Sequence, residues 1–489
     1  MTEANRTAIP RERGPPQVNG KAARRSALAT AERLRSLSLT ERDILRVVQD
    51  PSFPRWREQI RSIGGCESPV YLTGHTTVRD RATGEVLRHY DTFGEPGGRL
   101  AVRCKNRRAT RCAPCSRLHA GDTFQLIRSG LTGGKGVRPQ VADHPRLFFT
   151  LTAPSFGAVH RAASGKPCRP RRDGGRCEHG RPVGCGQRHP DDDALVGKPL
   201  CRACYDYTAH VLWHAYAGRL WNRVCDGVRR RLATAVGITQ SRLRRHARLS
   251  FAKVAEYQRR GAVHFHAVVR LDGPDGPQTP PPAWGTHELL TAAVRAAAAS
   301  VSVTTAYSPA TGEHVIRWGN QLDVHPIRSH TAFTHKDVTD DAVAAYVAKY
   351  ISKSVADSAG GIDYRITEYT SIQLAPVDGH IRALMATCWR LGGLPEFSPL
   401  HLRTWTHTLG YRGHALTKSR HYSTTYEALR TERIIHSGGV STDTNTPNSS
   451  IESAWRFAGS GYTMAEAEIA AGVLEEVTLS RKIAQEYGR

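Results

Sequence analysis

The chain has 489 residues, with 69 lysines and arginines against 44 acidic residues and a net charge of +25 at neutral pH. This length exceeds what one hydrophobic core normally fills, so two or three domains are expected, and the charge indicates a polyanionic partner, with nucleic acid favoured over an anionic membrane surface. No apolar run of about 18 residues could span a bilayer and the N-terminus lacks the apolar core of a secretory signal, so a cytoplasmic protein with no membrane contact is predicted.

Residues 1–50 are predicted to form a basic arm, mostly flexible with one short helix, because they are rich in turn formers and poor in aromatic side chains. Residues 51–140 are predicted to be a first zinc-binding module. Clustered cysteines in a reducing cytosol favour metal binding over disulfides, and four thiolates suit a closed tetrahedral zinc site. The cysteines assigned to this structural Zn²⁺ are Cys66, Cys104, Cys112 and Cys115.

The run RLFFTLTAPSFG predicts a strand that ends at Pro154 and Gly157. Residues 165–206 follow and are dense in Gly, Pro, Arg, His and Cys without a regular period, so they are expected to need a metal in order to fold. A second structural Zn²⁺ is predicted in this insertion, with Cys168, His179 or His189 as substitutes for individual ligands. The predicted ligands are Cys177, Cys185, Cys201 and Cys204.

A helix is predicted from Tyr207 to about Ala235, and RLSFAKVAEYQRRGAVHFHAVVRLDG then predicts two strands around the turn at 259–261. Alternate residues of a strand share a face, so His264 and His266 point to one side. Glu256 on the preceding strand is close enough across the turn to join them. Two imidazoles and a carboxylate with vacant positions suit Mg²⁺ or Mn²⁺ bridging to a phosphate oxygen. The alternative interpretation is two polar histidines on a solvated sheet face.

After a helix near 286–300 and a strand around 321–327, TDDAVAAYVAKYISKSV predicts a helix from Asp340 to about Val355 with Thr339 as its N-cap. Two tyrosines on one face and two lysines on an adjoining face are each four residues apart. A phenol is a weak nucleophile that needs a neighbouring metal or cation to attack a phosphate. The alternative is an amphipathic helix with half-buried aromatic residues. The residues concerned are Tyr346, Lys349, Tyr350 and Lys353.

Residues 361–436 are predicted to be a basic DNA-binding region in which phosphate-binding and base-stacking side chains alternate. A solvated face with aromatic residues packed beneath it would give the same pattern. Residues 437–489 are predicted to be a linker, to about residue 450, and a terminal helix from about Ala465 to Tyr487. The alternating residues are Tyr411, Arg412, Lys418, Arg420, His421, Tyr422, Tyr426 and Arg430.

Together these segments resemble the HUH endonucleases, and most closely the rolling-circle replication initiators of actinomycete integrative and conjugative elements and plasmids. RLFFTLTAPSFG is similar to the first family motif, VHFHAVV to the two-histidine motif, and AAYVAKYISKS to the tyrosine motif in its two-tyrosine form. WGNQLDVHPI and WTHTLGYRGHALTKSRHYSTTYEALR are similar to the actinomycete initiators specifically. The resemblance covers roughly residues 50–435.

The resemblance implies an α+β fold, with a central antiparallel sheet and flanking helices over 141–360, in addition to the zinc modules. It makes His264 and His266 metal ligands with Glu256 as the third, Tyr346 or Tyr350 the nucleophile, and Lys349 or Lys353 the supporting cation. The implied enzyme is a site-specific single-strand endonuclease and strand transferase that binds a double-strand origin. It would leave a 5′-phosphotyrosine and a 3′ hydroxyl that primes host polymerase, and since no GxxxxGK[ST] motif occurs, unwinding is assigned to a host helicase.

Two other functions remain open. A single-strand transposase or a conjugative relaxase would share the chemistry but serve another process, and genomic neighbours would distinguish them. A zinc-dependent DNA-binding regulator without catalysis belongs to a different class, and it predicts that origin DNA is bound and never cut.

Overall fold

The structure is a computed structural model, and it describes residues 36–162, 165–171, 173–327, 339–351, 358–436 and 448–487. Most of the predicted N-terminal arm, most of the predicted linker and Lys353 lie outside the described residues. The chain divides into two compact units. The first unit comprises Met1–Cys104 with Pro447–Arg489, and the second comprises Lys105–Thr446.

Helices and strands alternate irregularly along the described parts of the chain. The helices are α1 (Leu39–Gln49), α2 (Phe53–Ser62), α3 (Ala113–Thr132), α4 (Tyr207–Ala235), α5 (Gln240–Leu243), α6 (His287–Ser300), α7 (Asp340–Ile351), α8 (Thr370–Leu374), α9 (Gly379–Leu391), α10 (Tyr426–His436) and α11 (Met464–Tyr487). The strands are β1 (Val70–Asp80), β2 (Val86–Asp91), β3 (Leu100–Val102), β4 (Arg146–Leu151), β5 (Arg248–Tyr257), β6 (Val263–Asp272), β7 (Ser302–Thr304), β8 (Val315–Arg317), β9 (Leu322–Ile327), β10 (Leu416–Lys418) and β11 (Ser449–Ser460).

The first unit is built around an antiparallel sheet in which β1 pairs with β2, β3 and β11. Strand β11 was not predicted, although Ile451, Trp455 and Phe457 lie at alternate positions, and its side chains are almost all exposed in the structure. It forms through backbone pairing with a segment more than 350 residues away, from Val70 opposite Ser460 to Asp80 opposite Ser449. A Cβ at Gly74 would lie 1.9 Å from the carbonyl oxygen of Ala454, so this pairing requires glycine.

The second unit contains a five-stranded antiparallel sheet in the order β10-β5-β6-β4-β9. This arrangement, with helices packed on both faces, confirms the predicted α+β fold with an antiparallel central sheet. The predicted helix Tyr207–Ala235 and the hairpin of β5 and β6 are present with the expected bounds. Strand β6 lies in the middle of the sheet and is therefore supported on both sides.

The two faces of this sheet pack against different cores. On one face, Phe265 contributes to the main core with Trp221 of α4 and Val294 of α6. On the other face, Val268 contributes to a second core with residues of α3 and α7, including Val347. Alternate residues of β6 therefore serve opposite faces, as the two-residue period of a strand requires.

Residues 158–206 lie between β4 and α4 and contain neither a helix nor a regular strand among those described. Isolated backbone pairs join Val159 to Pro199, Arg169 to Cys185 and Arg176 to Pro182. Residues 158–206, hereafter the insertion, thus have little regular structure, and the need of residues 165–206 for a metal in order to fold stays a prediction.

None of the helices in the described ranges combines the length and apolar composition needed to cross a bilayer.

Candidate active site

The hairpin of β5 and β6 brings Glu256, His264 and His266 into one cluster. Glu256 lies directly opposite His264 in the register, and His266 is two residues further along the same face. One carboxylate oxygen of Glu256 lies 2.8 Å from Nε2 of His264 and 3.0 Å from Nε2 of His266. The two Nε2 atoms are themselves 3.0 Å apart. Three ligand atoms therefore form a nearly equilateral triangle.

The size of this triangle fits an octahedral cation. Two ligands at a right angle, each about 2.1 Å from a metal, lie about 3.0 Å apart, whereas two nitrogens on tetrahedral zinc lie about 3.4 Å apart. The observed separations of 2.8 to 3.0 Å match the octahedral spacing. A cation at this site would bind the three protein ligands on one triangular face of its octahedron. Its three remaining coordination positions would be open to water or a phosphate oxygen.

The electrostatics of the cluster keep its ligands in the forms that bind a metal. Burial acts to raise the pKa of Glu256, but hydrogen bonds from His264 and His266 outweigh it and lower the pKa to about 2. Burial lowers the pKa of His266, and contact with Glu256 offsets only part of this effect. A carboxylate beside a neutral imidazole is the donor state that a divalent cation requires.

Two residues of β4 position His266 and were not singled out from the sequence. Thr150 lies opposite His266, and its hydroxyl oxygen is 2.9 Å from Nδ1 of the imidazole. Occupation of Nδ1 by this contact directs Nε2 towards the metal-binding position. Phe148 stacks on the same ring at a centroid distance of 6.0 Å. The motif of β4 was recognised, but the cross-strand register that selects these side chains cannot be read from spacing.

Helix α7 places Tyr346 beside the cluster. The hydroxyl of Tyr346 lies 3.4 Å from Nε2 of His266, and its ring meets the edge of Phe148. Thr339 caps the helix as predicted, because its hydroxyl accepts the N–H of Ala342 at 3.1 Å. Val343 lies one turn earlier on the same side of the helix and packs into the second core. The phenol thus lies beside the three side chains that could hold a metal ion.

A buried ion pair fixes the start of α7. Nη1 of Arg146 in β4 lies 2.6 Å from a carboxylate oxygen of Asp340, and the same nitrogen donates to the carbonyl of Leu131 at 2.7 Å. Both charged side chains are almost fully buried. Arg128 of α3 also contacts the next residue, Asp341, at 2.8 Å. The first turn of the tyrosine helix is therefore tied to both the sheet and α3.

The other predicted catalytic residues are described less fully. Lys349 lies in the last turn of α7 with its side chain exposed. Tyr350 is part of the helix, but its side chain lies outside the described residues, as does all of Lys353. Their roles remain predictions.

Glu256 contributes to the wall of an open cleft of about 690 Å³. The insertion forms one side of this cleft through residues such as Asp191 and Lys198, and Gly360 and Asp378 line another. A neighbouring cleft of about 590 Å³ runs along the same hairpin turn and carries several arginines, namely Arg161, Arg169, Arg259 and Arg260. A polyanion would be favoured in the cleft that carries the arginines, whereas the cleft of Glu256 is also lined by the acidic Asp191, Asp192 and Asp378.

Three of the four zinc ligands predicted for the insertion lie close together in the structure. Sγ of Cys177, Cys201 and Cys204 and a ring nitrogen of His179 lie within 4.8 Å of one another, a set that could hold zinc. His179 Nδ1 is 3.3 Å from Cys204 Sγ. Cys185, assigned to this set from the sequence, belongs to a different group in the structure, and His179 takes its place. The eleven cysteines, all of which lie in the described residues, form no disulfide.

The first predicted zinc set divides between the two units. Cys66 and Cys104 belong to the first, where Sγ of Cys66 accepts the backbone N–H of Cys104 at 3.3 Å. Cys112 and Cys115 belong to the second, where Cys112 caps α3 and Cys115 lies in its first turn. Their assignment to one zinc ion stays a prediction of the sequence.

The tyrosines of the predicted DNA-binding region are only partly available. Tyr411 and Tyr422 are buried in the two cores, and the hydroxyl of Tyr422 donates to the carbonyl of Ile127. Tyr426 is half buried, with its hydroxyl 2.8 Å from that of Thr123. These rings support the fold rather than stack on bases, which favours the interpretation of a solvated face over packed aromatic residues.

The described residues thus bring together three side chains that could hold a metal ion and a helical tyrosine, on an antiparallel sheet of a strongly basic chain. The family model described as replication initiator protein, pSAM2, matches residues 52–475, and the chain belongs to this family of replication initiator proteins. A replication initiator protein of Streptomyces ambofaciens is 43% identical over 458 residues, which cover 91% of this chain and 95% of that protein. No solved structure matches the chain.

Proposed function

We propose that this replication initiator works by the rolling-circle mechanism: it binds a double-strand origin and nicks one DNA strand with a tyrosine. The observation that carries the proposal is the 3.4 Å separation between the hydroxyl of Tyr346 and Nε2 of His266. A phenol is a weak nucleophile at neutral pH, so a site that attacks phosphate must bring it to a cation. The triangle of Glu256, His264 and His266 offers the cation-binding position next to that hydroxyl.

The triangle would hold Mg²⁺ or Mn²⁺. When bound, such a cation would draw in a phosphate oxygen of the DNA and stabilise the negative charge that develops during attack. Family membership itself supports DNA as the polyanion, and the net charge of +25 agrees with this partner.

In the proposed reaction, the oxygen of Tyr346 forms a bond to phosphorus while the bond from phosphorus to the 3′ oxygen breaks. The phenolic proton passes to solvent and the departing 3′ oxygen takes up a proton. The products are a 5′-phosphotyrosine and a free 3′ hydroxyl. Because one phosphoester replaces another, the bond energy is retained for a later rejoining step. Lys349 and Lys353 are proposed to stabilise the charged intermediate.

Tyr350 is proposed to perform a second transfer that ends the round of replication. It lies four residues after Tyr346 on the same helix, as the two-tyrosine mechanism requires. The free 3′ hydroxyl would prime host polymerase, and a host helicase would unwind the template. These partners and the bacterial cytoplasm as the site of action follow from the proposed role.

The test is to incubate the protein with Mn²⁺ and labelled single-stranded DNA spanning the origin, and to look for a covalent adduct on a denaturing gel. We expect an adduct that disappears in the Tyr346→Phe, Tyr350→Phe double variant and in His264→Ala. An adduct that persists in the double variant would exclude these tyrosines.

The outcome also separates the alternatives. A non-catalytic regulator would bind the origin and never cut it. A transposase or relaxase would cleave transposon ends or a transfer origin in preference to the replication origin.

A further inference from the structure

We infer that His160, Cys168, Cys185 and His189 form a separate structural zinc site within the insertion. Their ligand atoms lie within 4.8 Å of one another, and no residue is shared with the group of Cys177 and Cys204. Two of the ligands lie at an isolated backbone pair: Arg169, which follows Cys168, exchanges two hydrogen bonds of 2.8 Å with Cys185. A zinc ion bound here would link two segments that are already paired through their backbones.

The separations within this group suit tetrahedral zinc, and the two distances between a nitrogen and a sulfur carry this comparison because the distance between the two nitrogens lies between the octahedral and tetrahedral values. On tetrahedral zinc two nitrogens lie about 3.4 Å apart, and a nitrogen and a sulfur about 3.6 Å apart. The observed distances are 3.2 Å from His160 Nδ1 to His189 Nε2, 3.5 Å from Cys185 Sγ to His189 Nε2, and 3.9 Å from Cys168 Sγ to His160 Nδ1. The donor set of two histidines and two cysteines is complete, as closed structural sites require.

The outer contacts also have the pattern of a metal site. The second ring nitrogen of His189 lies 2.7 Å from a carboxylate oxygen of Asp193, an arrangement that orients Nε2 towards a metal. Sγ of Cys168 accepts the backbone N–H of Arg161 at 3.2 Å. The other oxygen of Asp193 accepts the N–H of Leu195 at 2.7 Å, so the carboxylate is itself held in place.

The position of this site gives it a function in the proposed nuclease. His160 exchanges backbone hydrogen bonds with the segment of Gly197 and Lys198, each 2.8 Å long. Gly197 lies so close to the β5–β6 turn that a Cβ would be 2.5 Å from the carbonyl carbon of Arg259. That turn joins Glu256 to His264. The zinc-held loop therefore supports the turn between the ligands of the catalytic triangle, a role that rests on the proposed function.

The direct test is the zinc content of the full-length protein, measured by inductively coupled plasma mass spectrometry after exhaustive dialysis. The Cys168→Ser, His189→Ala double variant should contain one zinc ion fewer than the wild type. The Cys177→Ser, Cys201→Ser variant should also lose one, and the combined variant should lose two. Cys225→Ala is the matched control and should keep the wild-type zinc content. Cys225 lies on α4 with its side chain buried in the main core, and it belongs to neither group of zinc ligands.

A single, milder substitution tests the zinc site even if the double variant does not fold. Asp193→Asn keeps the oxygen that accepts the N–H of Leu195 but presents an N–H to His189. Loss of such an outer contact typically weakens metal binding 10–100-fold. One zinc equivalent should therefore pass to a chromogenic chelator at a concentration about 10–100-fold lower than in the wild type. The exposed Asp192→Asn should behave as the wild type.

Wild-type zinc content in the double variant, or wild-type chelator resistance in Asp193→Asn, would overturn the inference. Zinc content is measured without DNA, so a protein that holds this zinc but never nicks DNA would refute the proposed function and leave the site intact.

Discussion

Removing the buried arginine that ties the tyrosine helix to the sheet should lower both stability and nicking. In Arg146→Met the carboxylate of Asp340 would remain buried without the guanidinium that lies 2.6 Å from it. Breaking one partner of a buried pair costs about 3–5 kcal/mol, because the remaining charge loses its compensation in a poorly polarisable environment. The same loss would free the first turn of α7 and move the hydroxyl of Tyr346 away from His266.

The double variant Arg146→Met, Asp340→Asn isolates the cause. It removes both charges of the pair, so we expect it to recover most of the roughly 3–5 kcal/mol lost by the single variant, since a buried pair replaced as a unit is often close to neutral. Nicking should stay reduced, because the helix still lacks its tie to β4. Arg128→Met, which removes an exposed contact with Asp341, is the matched control and should cost no more than about 1 kcal/mol.

Urea denaturation followed by circular dichroism measures stability, and single-turnover adduct formation measures nicking. Manganese affinity, followed by calorimetry, should be unchanged, because Arg146 lies opposite Arg270, four residues along the strands from the pair of Thr150 and His266. If Arg146→Met kept wild-type stability and wild-type nicking, the role of Arg146 in anchoring α7 would be refuted. If the double variant were as unstable as the single variant, the lost stability could not be attributed to the buried charge of Asp340.

The remaining predictions concern the metal cluster and the core. Thr150→Val should weaken Mn²⁺ binding about 10–100-fold in calorimetry while Thr150→Ser restores it, because the hydroxyl orients His266; equal affinities would contradict this role. Burial lowers the pKa of Lys253 from 10.5 to about 8 among the rings of Trp221 and Phe265. The unfolded chain therefore binds the proton more tightly, and stability rises with pH from about 8 to about 10.5. Lys253→Met should raise the free energy of unfolding by up to about 3 kcal/mol at pH 7 and by about half as much at pH 9.5, and a gain independent of pH would contradict the assignment.

Site residues could be predicted from the sequence where their placement depends on the residue period of one strand or helix. Two histidines two residues apart on a strand must share a face, and a hairpin turn of known position brings Glu256 opposite His264. The start of α7 at Asp340 likewise follows from its cap and first-turn acids.

Features that depend on long-range pairing could not be predicted in the same way. Thr150 and Arg146 acquire their roles only through the register of β4 against β6 and through contact with α7. Strand β11 carries only a short apolar alternation and forms by pairing with β1. The assignment of Cys185 depends on how an irregular segment folds back on itself, which spacing along the chain does not determine.

The central claim is that Tyr346, held beside the metal-binding triangle, makes the first covalent bond to DNA. Trypsin cleaves after Lys336, Lys349 and Lys353, so it places Tyr346 and Tyr350 on separate peptides. Mass spectrometry of the digested adduct, formed with Mn²⁺ and single-stranded origin DNA, should find the nucleotide on the peptide of residues 337–349. A nucleotide found only on a peptide without Tyr346, or unchanged adduct yield in Tyr346→Phe, would contradict the claim.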